Sequence, residues 1–373
     1  MATNKKIIAY VVNVDWFFIS HRLSLAKHAL NLNYSVYLLT KNTGKFSELE
    51  NLGIKCIDIN FTRSKMNIIV EAKVLLKLIQ TYRKIKPNIV HQITLKPNIY
   101  GTISTKFLKH KPTIINAVSG LGYSFINNKN NFILKILMKI AFADKKSKFI
   151  FQNSDDFKLY QNLNLVSTNN YIIIKGSGVD IYDFQLKNQN ISNKKIKIVL
   201  VARMLKDKGV LEFINAALIL KPKFHNKFEF ILVGGIDLDN PAHLTESDLM
   251  SFIDSKYIFW LGYCSNIKDI YNSADIVCLP SYREGVPKSL IEAMSIGCPI
   301  ITTNAPGCKE CVDDGVNGFL VPVADPIALA NKLELLALNE RLRIEMGLKS
   351  REKVLKDMSL EFVVNKTFQF YDE

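Results

Sequence analysis

Short apolar runs alternate with helix-period patterns almost from end to end of the chain, and this alternation restricts the fold more than any other feature. IIAYVVN, YSVYLLT, IKCIDI, NIVHQI, TIINAV and KFIFQN read as strands of a first domain. KIVLVA, FEFILVGG, DIVCLP and PIITT read as strands of a second. Strands interleaved with helices are the signature of parallel α/β sheets. A chain of 373 residues is long for one core, and 48% hydrophobic residues suffice to fill two. The polar run LKNQNISNKK, residues 186–195, follows the turn-like GSGVD and has the composition of a linker or long surface loop. The reading places one domain over 1–185 and a second over 186–355.

The most informative single stretch is REGVPKSLIEAMSIGCPIITT, residues 283–303. Gly285 and Pro287 interrupt the backbone between the apolar DIVCLPS and the periodic SLIEAM, which gives strand, tight loop and helix. The first N–H groups of such a helix lack internal acceptors and carry the positive end of the dipole, so they cradle a diphosphate. Glu284 precedes the helix and Glu292 lies inside it. Carboxylates repel phosphate, so their partners there are hydroxyl groups of sugar and ribose rings. The plainer alternative makes Glu292 a solvated helix residue and Glu284 a charge favouring the helix start. A second strand, loop and helix, VLVARMLKDKGVLEFINAA, places Arg203 and Lys208 where open α/β sheets bind ligands. Arg203 grips phosphate through its fork and Lys208 offers a point charge; both are otherwise ordinary surface cations.

These residues resemble the retaining glycosyltransferases of the GT-B fold, glycosyltransferase family 4. The hallmark is glutamate, seven residues, glutamate, then a helix and a small-residue strand, here Glu284 to Glu292 followed by GCPIITT. The resemblance implies two Rossmann-like doubly wound domains facing a cleft, with the tail 356–373 crossing back to the first domain. It implies that Glu292 binds the nucleotide ribose and Glu284 lies by the donor sugar. Arg203 and Lys208 would hold the diphosphate beside the backbone of Gly285, Val286, Pro287, Lys288 and Ser289. The donor implied is a nucleotide sugar, UDP-linked, with an N-acetylhexosamine or related hexose. The implied front-face reaction retains configuration, needs no enzyme nucleophile, and uses neither metal nor cofactor. VVNVDWFFISHRLSLAKHAL, HQITLKPNIYG and the SGLG at 119–122 resemble a subgroup that builds bacterial surface polysaccharide on lipid carriers. The acceptor so implied is an undecaprenyl-diphosphate-linked saccharide.

Trp16, His21 and Arg22 follow the first strand, where doubly wound folds place a ligand loop, but without a G-x-G-x-x-G fingerprint. Asp15 and His21 are candidates to face the acceptor hydroxyl, and Arg22 with Lys96 to hold its phosphates. For His21 the alternative is a helix-start residue satisfied by the backbone. His91 ends a strand and is either a cleft residue or structural. Where many relatives carry a histidine this chain has Ile93 and Thr94, which directs attention to Lys96. Gly120 and Gly122 permit close substrate approach, or make a turn.

The net charge of +15 is unevenly spread: residues 1–180 hold 26 Lys and Arg against 9 Asp and Glu, and residues 181–373 hold 23 against 25. A basic half suggests an anionic membrane surface or nucleic acid. NNFILKILMKIAFADKKSK, residues 130–148, reads as an amphipathic basic helix able to rest on acidic headgroups, or as a core helix with lysines at its margin. The chain lacks the interleaved aromatics of an RNA or DNA module. Six scattered cysteines favour a reducing cytoplasm, and the C-x-x-C of Cys308 and Cys311 has no second pair to complete a zinc site. With no signal-peptide pattern and no apolar run of spanning length, a cytoplasmic protein peripheral to the inner membrane face is expected. The rival enzyme of the same fold is a sugar nucleotide 2-epimerase.

Overall fold

The computed structural model describes residues 5–62, 68–120, 132–144, 146–187, 195–254 and 256–373. The chain divides into two compact units, residues 1–177 with 363–373, and residues 178–362. The first unit runs β1 (Ile7–Val14), α1 (Asp15–Asn31), β2 (Ser35–Lys41), α2 (Phe46–Asn51), β3 (Lys55–Asp58), α3 (Ile68–Ile85), β4 (Ile89–Ile93), α4 (Leu95–Thr105), β5 (Thr113–Val118), α5 (Phe132–Phe142), β6 (Lys148–Phe151), α6 (Ser154–Asn162) and β7 (Tyr171–Ile173). The second runs β8 (Ile196–Val201), α7 (Val210–Phe224), β9 (Phe228–Val233), α8 (Glu246–Met250), β10 (Ile258–Trp260), α9 (Ile267–Ser273), β11 (Ile276–Leu279), α10 (Lys288–Ile296), β12 (Ile300–Thr303), β13 (Gly318–Val321), α11 (Pro326–Leu338) and α12 (Glu340–Asp357). The last helix, α13 (Leu360–Asp372), begins in the second unit and ends in the first.

Among the described residues each unit is built on one parallel sheet, ordered β3-β2-β1-β4-β5-β6-β7 and β10-β9-β8-β11-β12-β13. The α/β class read from the alternating pattern is the observed one, with both sheets doubly wound. β4 is buried at all five positions and β11 at all four, as strands covered on both faces must be. Strand order reverses between β1 and β4 and between β8 and β11. Loops leaving the C-terminal ends of these pairs flank the crevice where such sheets take ligands.

Two stretches depart from the sequence reading. The basic helix expected over 130–148 is α5, which stops at Phe142, and its lysine-rich tail leaves the helix so that Lys148 opens β6. Residues 130, 131 and 145 lie outside the described residues. Residues 181–187 pack with the second unit, because their carbonyls serve Arg351 and α10. Arg351 donates to Ile181 O (3.0 Å), Phe184 O (2.7 Å) and Ser295 O (2.7 Å), and the Lys187 amide donates to Ile296 O (3.0 Å). Of the expected linker, residues 188–194 are outside the described residues.

The tail after Val363 packs in the first unit. Phe368 meets His28 edge-on at 4.6 Å, Lys148 Nζ donates to Phe370 O at 3.1 Å, and the Tyr371 hydroxyl hydrogen-bonds His91 Nδ1.

Candidate functional site

The loops after β8 and β11 carry the predicted donor residues, and backbone and side-chain bonds join them. The Tyr282 amide (2.9 Å) and Ser281 Oγ (3.0 Å) both donate to Asp207 O. Gly209 sits at φ +73°, and a Cβ there would lie 2.1 Å from Pro280 O, so only glycine lets the two loops touch. Lys208 Nζ reaches Glu284 Oε1 at 2.5 Å, and Ser281 Oγ donates to the same oxygen at 3.0 Å. Both charged side chains are mostly buried, at 14% and 17% exposure. The structure therefore brings Lys208 and Glu284 into one ion pair at the switch point.

A third segment closes behind them. The Glu284 amide donates to Pro306 O at 3.0 Å, and Gly307, at φ +79°, presses so closely that a Cβ would lie 2.1 Å from Gly285 O and 2.3 Å from Glu284 O. The 284–287 loop is thus fixed by backbone contact on its far side.

Helix α10 starts at Lys288 behind Pro287 with no side chain capping it, and ends at Gly297 in the left-handed region. Leu290, Ile291, Ala293 and Met294 are buried and anchor the helix. Its uncapped start, with Ser289 in the first turn, is the anion-favouring end. Glu292 lies one turn further in and is buried rather than solvated, which removes the plainer alternative for it. Lys288 Nζ is 3.3 Å from its Oε1, and the Tyr271 hydroxyl 3.5 Å from its Oε2. Burial raises the pKa of Glu292, with Lys288 pulling the other way.

Arg203 pairs with Asp237, at the end of the neighbouring strand β9. Sequence reasoning missed Asp237, Tyr271 and Ser281. The available signal for Asp237 was its place just beyond the Gly234–Gly235 turn of FEFILVGG, at a strand's C-terminal end. Both predicted diphosphate cations hold a carboxylate in this structure, so an entering diphosphate competes with Asp237 and Glu284 for them.

The first unit treats its predicted residues differently. Asp15 is fully buried at the start of α1. Its carboxylate accepts from the Trp16 amide (2.7 Å), the Thr43 amide (2.6 Å), the Lys45 amide (3.2 Å) and the Thr43 hydroxyl. It does not face outward to an acceptor hydroxyl, because four donors from the chain hold it. His21 stacks on Phe17 at 4.1 Å and its Nδ1 lies 3.3 Å from Phe17 O, the backbone-satisfied alternative. Arg22 is buried near Tyr10 and Tyr371, and burial pulls its pKa down to about 10. Lys96 donates to Glu71 Oε1 (2.7 Å), Thr62 O (2.8 Å) and Thr62 Oγ1 (2.9 Å), so all three of its protons are placed. Lys96 is thus committed to internal contacts, whereas Arg22 donates to His21 O (3.1 Å) and keeps a buried Nε without a partner.

His91 is fully buried, and burial followed by the charge of Arg22 holds its pKa well below the usual range. Thr94, at the end of β4, adopts φ +74° and ψ 165°, a backbone region used essentially by glycine, and such strain clusters at functional sites. Gly120 is also left-handed, at φ +93°; Gly122 lies outside the described residues. Cys308 and Cys311 are buried, and burial pushes the Cys308 thiol up to about 12. Among the described residues no group of three or more metal-ligating side chains gathers, and no helix is long and apolar enough to cross a membrane.

Residues 7–153 match the family described as glycosyl transferase 4-like, and residues 182–353 match glycosyl transferases group 1. The chain is similar to the N,N'-diacetylbacillosaminyl-diphospho-undecaprenol alpha-1,3-N-acetylgalactosaminyltransferase of Campylobacter jejuni, 28% identical over 94% of each chain. It is also similar to the UDP-Gal:alpha-D-GlcNAc-diphosphoundecaprenol alpha-1,3-galactosyltransferase of Escherichia coli, 25% identical over 98% of this chain and all of the other. Among solved structures, a glycosyltransferase from Rickettsia africae superposes with a TM-score of 0.77 at 21% identity over 99% of this chain and 98% of that one. The Anabaena protein HepE, crystallised with UDP and glucose, gives 0.79 at 16% identity over 98% of this chain and 99% of that one. With two parallel-sheet units and both halves matched, the chain belongs to the GT-B glycosyltransferases, a glycosyl transferase 4-like domain followed by a glycosyl transferases group 1 domain.

Proposed function

We propose that the protein moves an N-acetylhexosamine or hexose from a UDP-linked donor to a hydroxyl of an undecaprenyl-diphosphate-linked saccharide, with retention, during surface polysaccharide assembly. The single observation that carries the donor side is the uncapped start of α10, with Lys208 and Glu284 paired before it and buried Glu292 inside it. Negative charge gathers on the diphosphate as the glycosidic bond breaks. Lys208, Arg203 and the α10 amides stabilise it there, and they do so without calling for a metal or cofactor. Entry of the diphosphate takes Lys208 from Glu284 and frees that carboxylate for a sugar hydroxyl, while Glu292 accepts from the ribose. The acceptor class is supported by the Campylobacter and Escherichia relatives, whose names specify diphosphoundecaprenol-linked acceptors and alpha linkages. A lipid-linked acceptor and a nucleotide-sugar donor together support a reaction at the cytoplasmic face of the membrane.

The test is a donor screen over UDP-N-acetylgalactosamine, UDP-N-acetylglucosamine, UDP-galactose and UDP-glucose, for hydrolysis and for transfer, repeated with Glu292→Gln. Wild type selects one donor class, and the variant loses about 10- to 100-fold in donor affinity, the worth of a hydrogen bond to a charged acceptor. Unchanged affinity removes Glu292 from the site. Conversion of the sugar nucleotide without any acceptor would instead establish the epimerase.

A further inference from the structure

The chain has two tryptophans, and the fold uses them differently. Trp260, on β10, packs against the core of the second unit and donates its indole N–H to Gly234 O at 2.9 Å. Trp16 stands at the first switch point, as the second residue of α1, and is 39% exposed. Phe18, two residues on, is fully buried and meets Tyr10 at 5.6 Å between ring centroids. Positions 16 and 18 lie about 200° apart around a helix, so the inward turn of Phe18 sends the indole outward. The backbone beneath that indole is fixed. The Trp16 amide donates to Asp15 Oδ1, and the same carboxylate accepts from the Thr43 and Lys45 amides.

Leaving the indole in water forgoes the burial energy that the fold takes from Phe18. Its surroundings select among the ligands able to cover it. Phe17 meets Trp16 edge-on at 6.2 Å and itself stacks on His21, which braces the ring from behind. Exposed polar groups border it: Ser20 lies one turn along α1, and Lys45 belongs to the turn held by Asp15. A hexopyranose matches a flat π face with a polar border, since its axial C–H groups rest on the electron-rich face while its equatorial hydroxyls reach the border. A lipid chain matches it poorly, because among the described residues no other large apolar side chain of α1 or the 42–45 turn is exposed. A nucleobase is flat as well, but the residues read as the donor's cradle belong to the second unit.

We infer that the Trp16 indole is the platform on which the acceptor's sugar stacks, and that this contact favours a saccharide-bearing acceptor over a bare prenyl diphosphate. A ring carried on a fixed helix start binds with little ordering cost. The inference rests on the proposed transfer to a lipid-linked saccharide.

The full chain is tested with a short prenyl diphosphate carrying N-acetylglucosamine, N-acetylgalactosamine, glucose or galactose, and with the same prenyl diphosphate lacking sugar. Covering the indole takes it out of water, so wild-type emission shifts to shorter wavelength with a sugar-bearing compound and not with the sugar-free one. Trp16→Phe, which keeps Trp260, loses the shift. Trp16→Ala raises the acceptor KM about 5- to 30-fold, the usual range for truncating an aromatic anchor. Its kcat and its hydrolysis of donor without acceptor stay at wild-type values, the mark of binding made equally in ground and transition states. Trp16→Phe restores most of the affinity and Trp16→Leu little, because leucine offers apolar area without a π face. An unchanged acceptor KM in Trp16→Ala overturns the inference, as does an equal loss towards the sugar-free compound or a leucine variant as good as phenylalanine. A shift evoked by UDP, or by acceptor-free phosphatidylglycerol vesicles, overturns it too. Emission is read without turnover: a wild type that transfers nothing yet shows the sugar-dependent shift removes the transferase and keeps the platform, and normal transfer by Trp16→Ala does the reverse.

Discussion

The two switch points use buried charge in opposite ways. In the second unit Lys208 and Glu284 form one ion pair, which under the proposed function opens to one exchange: an entering anion would replace the carboxylate on the lysine and release it for a hydroxyl. In the first unit Lys96 spends its three protons on Glu71 and Thr62, and Asp15 accepts from four donors. Charges at equivalent places in two similar sheets can thus serve a ligand or serve the fold. The number of internal partners separates the cases.

The sharpest way to break this contrast is to remove one lysine from each unit. Lys208→Ala lowers kcat by about 10²- to 10³-fold, the usual loss of one preorganised group that stabilises developing charge. Lys96→Ala strands Glu71 and lowers unfolding free energy by about 3 kcal/mol, while the folded enzyme keeps kcat within a small factor. Steady-state kinetics beside urea unfolding separates them; a kcat loss in Lys96→Ala equal to that of Lys208→Ala erases the distinction. Next in size is Gly307→Ala. Its Cβ meets two carbonyl oxygens of the 284–285 loop from a left-handed backbone, so stability falls by about 1–3 kcal/mol and donor affinity falls with it. An unchanged donor affinity would mean that the loop's position is set from elsewhere. Asp15→Asn is milder. Its amide group turns one acceptor into a donor facing other donors, for a loss of about 1–2 kcal/mol seen as a lower Tm with kcat intact. A specific rise in acceptor KM would return Asp15 to the acceptor site.

These contrasts also explain what the sequence made legible. The ten runs read as strands all lie in the two sheets; the strands passed over, β7, β10 and β13, have three or four residues each and sit at sheet edges, where a short half-covered run leaves little periodic signal. The position of Glu284 and Glu292 around a helix start was legible because Gly285 and Pro287 mark the loop between strand and helix, and that of Arg203 and Lys208 because they follow a strand's C-terminal end. Their resting partners were not. Asp237 and Tyr271 come from elements 34 and 21 residues away in sequence, and only the fold brings them near. On the acceptor side, residue type and strand-end position suggested Arg22 and Lys96, but nothing local revealed that Thr62 and Glu71 would claim Lys96. Equally, nothing near His91 announces Tyr371, 280 residues on.

The smallest expected effect is a pH dependence that runs in opposite directions in the two units. Burial raises the Glu292 pKa, so the fold prefers its protonated form: the stability it contributes is present below its unfolded pKa and is lost as pH rises through the folded one. Donor binding needs the ionised form as acceptor, so donor affinity falls with acidification, and the fall begins above the ordinary glutamate range. Glu292→Gln flattens that limb. His91 behaves inversely: its depressed pKa gives stability that is present above the ordinary histidine value and is lost as pH falls through the folded value. Acidification should therefore loosen the 363–373 tail around Tyr371 in the first unit while easing the burial of Glu292 in the second. Hydrogen exchange read separately on the tail and on α10 between neutral and mildly acidic pH measures both at once, and parallel changes in the two segments would defeat the contrast.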